Sequence, residues 1–147
     1  MKLLLLGHDG QVGWELQRAL APLGELIAVG PESADFEDVA SLRRLVQGIR
    51  PNAIINAAAY TAVDQAESEP QRARRINAEA VEVLADEARR LDAWLVHYST
   101  DYIFDGTKSA PYVEDDPPGP ISVYGQTKLE GEHAARAHHG RHLIFRT

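Results

Sequence analysis

The chain has 147 residues, 44% hydrophobic and 25% charged, which fits one globular domain with a core large enough to need no staples. A formal net charge of −7 and a pI near 5.3 argue against a partner in nucleic acid or an anionic membrane surface. There is no cysteine, so disulfides, thiolate metal sites and cysteine nucleophiles are excluded. The apolar start, Met1 to Gly7, is too short for a membrane span or a signal peptide, and a cytoplasmic protein is the expectation.

Leu3 to Leu6 is a continuous apolar run, as in a strand buried on both faces, and it stops at Gly7. Val12, Leu16, Ala19, Leu20 and Leu23 then recur at helical spacing up to Gly24. A strand at Leu26–Val29 precedes a helix from Ser41, with Leu42, Leu45, Val46 and Ile49 on one face and Pro51 closing it. Ala53–Ile55 is a third strand. Pro70 opens a helix to about Leu91, and Trp94–Tyr98 is the fourth strand. A loop rich in Pro, Gly and Asp spans 101–120, a helix runs from Ser122 to His138, and His142–Arg146 is a last strand. This alternation predicts an α/β fold: a doubly wound parallel sheet, a Rossmann-type dinucleotide-binding domain over residues 1–147. A chain stopping on a strand reads as part of a longer protein, a further portion lying outside these residues.

Gly7-His-Asp-Gly10-Gln-Val-Gly13 joins the first strand to the first helix. A pyrophosphate must approach backbone closely there and meets free N–H groups at the helix N-terminus. Gly7 is read as the tight turn, Gly10 as the close approach and Gly13 as the helix–sheet contact. The second strand ends at Gly30 rather than at the acidic residue that ordinarily holds the adenosine ribose. Glu32 can replace that carboxylate, or its absence leaves room for a 2′-phosphate. NADH and NADPH both stay open, with a lean to NADPH.

Tyr124 and Lys128 lie four apart on a predicted helix, one turn above the other. A free tyrosine titrates near about 10, and a neighbouring cation favours its phenolate. Ser99-Thr100 follows the fourth strand, at the sheet end where ligands sit. Glycine turn, hydroxyl after a later strand, then Tyr and Lys is an order hard to obtain by chance.

These residues resemble the extended short-chain dehydrogenase/reductase family, within it the enzymes reducing a keto group on a nucleotide-activated sugar. The resemblance covers the whole chain. It is carried by Gly10–Leu16, Asn56–Asp64, Ser99–Gly106 and Val123–Lys128. It implies a nucleotide-sugar substrate, NADPH or NADH as cofactor, and a possible homodimer in the full-length form. It implies that Gly10, Gln11 and Val12 contact the pyrophosphate and that Asp35 and Phe36 meet the adenine. Ala57, Ala58, Ala59, Tyr60, Thr61 and Ser99 would line the ribose and nicotinamide. Thr100 takes the catalytic hydroxyl role and, with Asp101, contacts the sugar. Tyr124 is the proton donor, and Lys128 holds the ribose and depresses the Tyr124 pKa. Magnesium is tied to subunit contacts in some members, and no metal ligand is assigned here. A non-catalytic regulatory subunit and a nucleotide-sugar epimerase or dehydratase are the alternatives.

Other residues read as ordinary surface or core. His8 and Asp9 face solvent, and His138, His139 and His142 end a helix. Glu114, Asp115 and Asp116 form an acidic loop. Arg72, Arg74 and Arg75 are a solvated helix face, and Trp14 and Trp94 pack inside.

Overall fold

The computed structural model describes residues 1–138 and 140–147, the side chain of His138 excepted, so the paired histidines of the helix end lie outside the described residues. Five strands form one parallel sheet: β1 (Lys2–Leu6), β2 (Glu25–Val29), β3 (Ala53–Asn56), β4 (Trp94–Ser99) and β5 (His142–Arg146). Their order is β2-β1-β3-β4-β5. The chain leaves β1 for β2 on one side and reaches β3 on the other, so the switch point lies between the C-terminal ends of β1 and β3.

The leucine run of β1 explains the two layers. Successive strand side chains point to opposite faces. Leu4 and Leu6 join Ile54 and Leu95 beneath α2 (Val39–Ile49), α5 (Ala80–Leu91) and α6 (Val123–His138). Leu3 and Leu5 join Ala53 and Ile55 beneath α1 (Gln11–Leu20). Leu3 to Leu6 are at most 2% exposed, and each buried leucine stabilises the fold by roughly 1.5–3 kcal/mol.

Cover on the α1 face is incomplete. Leu16 and Leu20 pack on the sheet, but Val12 and Leu23, expected on the same stripe, are exposed. Leu143 and Phe145 are each 47% exposed on β5, beside Val96 and Tyr98 of β4, and no helix covers them among the described residues. Trp14 and Trp94 do not pack inside either. Trp14 lies on the outer side of α1 beside Glu15 and Arg18, and Trp94 is half-exposed as the first residue of β4, at the N-terminal end of the sheet.

The helices differ from expectation in three places. Asp38, not Ser41, caps α2, its side chain accepting the Ser41 N–H at 3.0 Å. A short helix, α3 (Val63–Ala66), stands between β3 and Pro70, where the sequence pattern marks no element. The helix opened by Pro70 is α4 (Pro70–Arg74), then a π turn over Arg75–Glu79, then α5. None of the described helices is long and apolar enough to cross a membrane.

Between α2 and α5 sits a buried carboxylate, Glu87, 1% exposed and paired with Arg43 and, at 3.4 Å, with Arg90. Arg43 also donates to Asp86 at 2.8 Å. Removing one partner of such a pair strands the other in low dielectric. Arg43→Met is expected to lower stability to urea by about 3 kcal/mol, and Arg43→Met with Glu87→Leu to recover most of it.

Candidate functional site

Two groups of residues meet at the C-terminal end of the sheet. The first is a cleft of about 380 Å³ at the switch point, lined by Gly7, Asp9, Gly10, Gly30, Asp35, Phe36, Ala57, Ala58, Ala59, Thr61 and Arg72, among others. Its floor is set by close backbone contact. Gly7 has φ +80°, and a Cβ there would stand 2.7 Å from the Ala58 nitrogen. A Cβ on Gly13 would stand 1.9 Å from the Gly7 carbonyl oxygen, so α1 lies flush on the turn only without a side chain at 13. Gly10 caps α1 with no side-chain hydrogen bond, and Gln11 and Val12 open its first turn, where N–H groups have no helical partner. That is an anion-accepting geometry with no basic side chain in it.

The opposite lip, Ala57 to Thr61, is held by residues that the sequence reading did not single out. The Asn56 carboxamide oxygen accepts the Ala58 N–H at 3.1 Å, and its nitrogen meets His97 Nδ1 at 3.1 Å. Burial pushes the His97 pKa well below its ordinary value, so the ring is neutral and Nδ1 accepts. Asn77, buried in the π turn, accepts the Tyr60 N–H at 2.9 Å and donates to the Tyr60 carbonyl at 3.1 Å. It also donates to the Thr127 hydroxyl at 3.2 Å, which ties the cleft to α6. The only advance signal was an Asn inside a helical pattern, where it pays to ask what its side chain bonds.

The Tyr60 side chain turns away from the cleft. It packs on Ala66 and Ala73, and its hydroxyl donates to Glu69 at 2.8 Å. Arg72 lies over its ring at 5.7 Å and pairs with Glu37 and Glu69. Arg72 therefore forms part of the cleft wall, whereas Arg74 pairs with Glu130 and Arg75 with Glu79 on the outside. His8 also departs from expectation, with Nε2 at 3.7 Å from the Glu32 carboxylate.

The second group joins the end of β4 to α6. Thr100 is buried, and its hydroxyl accepts the Tyr102 N–H at 3.2 Å and donates to Asp101 at 3.3 Å. Ser99 is buried, its hydroxyl beside the Glu132 carboxylate. Lys128 is 2% exposed, and its ammonium donates to the Tyr98 carbonyl at 2.6 Å. One turn before it, half-buried Tyr124 meets the Tyr102 ring edge-on at 5.6 Å.

The electrostatics differ from the simple Tyr–Lys expectation. Burial raises the Tyr124 phenol above its ordinary value; the nearby Thr100 hydroxyl opposes this, and Asp101 adds to it. The Lys128 ammonium is turned to the Tyr98 carbonyl. Burial lowers Lys128 to about 8, against the attraction of Glu132. Glu132 is itself fully buried. Burial alone would raise its carboxyl, but Arg146, bonding through two nitrogens at 2.9 and 2.8 Å, holds it below the carboxylate range. Glu114 and Asp115 stay on an exposed loop, where Asp116 pairs with Lys108. No group of three or more potential metal ligands occurs among the described residues.

The sequence model of the RmlD substrate binding domain matches residues 1–147. dTDP-4-dehydrorhamnose reductase of Escherichia coli K12 is 53% identical over 151 residues, covering 100% of this chain and 50% of that protein. The Burkholderia thailandensis enzyme of the same name is 50% identical over 147 residues, again 100% of this chain and 49% of the other. A dTDP-4-dehydrorhamnose reductase from Bacillus anthracis, solved in complex with NADP, superposes with a TM-score of 0.93 at 36% identity, covering 99% of this chain and 52% of that one. UDP-glucose 4-epimerase from Thermus thermophilus, at 20% identity, shares the fold with a TM-score of 0.86. The chain spans about half the length of the curated relatives it matches. The match over every residue, on a sheet whose cleft and hydroxyl–tyrosine–lysine group stand at the same end, places the chain in the RmlD substrate binding domain family.

Proposed function

We propose that the chain is the dinucleotide-binding and proton-donating part of a reductase that converts dTDP-4-dehydro-L-rhamnose to dTDP-L-rhamnose. The observation that carries this reading is the Thr100 hydroxyl beside Tyr124, with Lys128 one helical turn further on, at the same end of the sheet as the cleft, in a chain 53% identical to a reductase of that name. When bound, NADH or NADPH supplies the hydride that adds to the sugar's carbonyl carbon.

This chain's residues supply the rest. Gln11 and Val12 offer first-turn N–H groups to the pyrophosphate, with Gly7, Gly10 and Gly13 clearing the way. Asp35 and Phe36 form the adenine end of the cleft, and Ala57, Ala58, Ala59 and Thr61 its opposite lip; Tyr60 contributes through its clamped backbone. Thr100 orients the substrate oxygen, with Asp101 beside it and Ser99 beneath. Tyr124 gives that oxygen its proton. Its raised phenol pKa keeps the proton on Tyr124 at neutral pH. Lys128, one turn further on with its ammonium held on the Tyr98 carbonyl, would reach the ribose hydroxyls. The nucleotide-sugar pocket is completed by the remaining length that the relatives carry, as is any homodimer contact.

Two outcomes test the assignment. Tyr124→Phe in the full encoded protein is expected to lower kcat for dTDP-4-dehydro-L-rhamnose by about 10²–10⁴-fold, followed as dinucleotide oxidation, with cofactor affinity unchanged; undiminished turnover overturns the role. Lys128 carries the stability cost of the site. Its folded pKa of about 8 lies below the ordinary 10.5, so the native state binds the fewer protons between those values and gains stability as pH rises through them. Lys128→Met is therefore expected to be more stable than the parent at pH 7 by about 2 kcal/mol in urea unfolding, the gain shrinking towards pH 10.5, while losing activity.

A further inference from the structure

The end of β2 is where an acidic side chain ordinarily accepts hydrogen bonds from the adenosine ribose, and this chain has Gly30 there. Its backbone does not call for glycine, since Gly30 is not among the glycines with positive φ. What excludes a side chain is the space. A Cβ at position 30 would stand 2.6 Å from Glu32 Oε2 and 2.9 Å from His8 Nε2. A tight turn puts them there: the Gly30 carbonyl accepts the N–H groups of Ser33 at 3.1 Å and Ala34 at 2.9 Å. The Glu32 carboxylate thus folds back and accepts the Gly30 N–H at 3.2 Å. A carboxylate from two residues onward occupies the room that the usual side chain would need.

We propose that Glu32, folded over Gly30, reads the adenosine ribose: its carboxylate accepts from the 2′-hydroxyl and repels a 2′-phosphate, so that NADH binds at least as tightly as NADPH. The proposal rests on the dinucleotide reading of the cleft. A second, independent observation supports it. Among the residues lining the cleft Arg72 is the one cation, and it is committed to Glu37 at 2.9 Å and Glu69 at 3.3 Å. Asp9, Asp35 and Glu37 put three carboxylates in the same wall. A 2′-phosphate would enter a negative rim with no uncommitted guanidinium to meet it, whereas a hydroxyl finds acceptors. The Glu32 carboxyl stays ionised, held below its ordinary value by its own and the Gly30 N–H groups.

The test is the pair of dissociation constants for NADH and NADPH, read by nucleotide fluorescence on the full encoded protein and on Glu32→Gln. The amide keeps an oxygen for the Gly30 N–H, so the turn is retained while the charge is lost. Glu32→Gln is expected to shift the affinity ratio towards NADPH by about tenfold, the order for one solvent-exposed like charge removed a few ångströms away in water. Both dinucleotides bound with an unchanged ratio overturns the role of Glu32. A wild-type protein that binds neither overturns the dinucleotide reading itself.

Discussion

The structure depends on one contact without side chains, Gly13 against the Gly7 carbonyl. With 1.9 Å left for a Cβ, nothing larger than hydrogen fits, and that closeness aims the start of α1 into the cleft. If the helix were lifted by a methyl group, its first-turn N–H groups would move off the line between β1 and β3. Gly7 would lose its fit against Ala58 on the other lip. The anion-accepting geometry therefore follows from the absence of atoms rather than from any positive charge, which is how a chain of net charge −7 can hold a phosphorylated ligand.

Around this contact the buried polar groups act as fasteners. His97 fixes Asn56, and Asn56 fixes the Ala58 N–H. Asn77 clasps Tyr60 and reaches α6 through Thr127. Each satisfies backbone groups in a loop that no strand or helix ladder serves, and that is the physical need for polar side chains in so apolar a layer. The cost is concentrated at Lys128, a buried ammonium with its charge opposed by burial and favoured by Glu132. Arg146 anchors Glu132 in turn, so the last strand bears on the reacting end of the site.

The sheet and its order of elements were legible because periodicity is local: four leucines in a row, then a helical stripe, then glycine. The glycine turn and the Tyr–Lys pair were legible because their chemistry depends on spacing along the chain. What escaped was set across it. The apolar stripe of α1 gave no sign that Val12 and Leu23 would face open space, since that depends on what covers the neighbouring strands. Glu32 over Gly30, Asn77 behind Tyr60, and Arg72 on the cleft wall are products of turns and helix crossings, which no single-segment pattern encodes. The Tyr124 phenol followed the same logic: spacing placed the lysine one turn away, but the direction of its pKa was decided by burial, with Asp101 adding to it.

The π turn at Arg75–Glu79 has a consequence for the phase of the whole helix. A π turn amounts to one residue more than a regular helix needs, and each residue advances the helix by about 100°. Removing one residue there would give a continuous α-helix with otherwise unchanged sequence and good local propensity. It would also rotate either Asn77 or all of α5 by more than a quarter turn. The apolar stripe of Val81, Leu84, Ala85 and Ala88 would then face the core only if Asn77 no longer faced Tyr60. The irregular turn lets one helix serve two surfaces whose angular demands differ, and a gap of a single residue at this place in a relative would mark a site rebuilt rather than a loop trimmed.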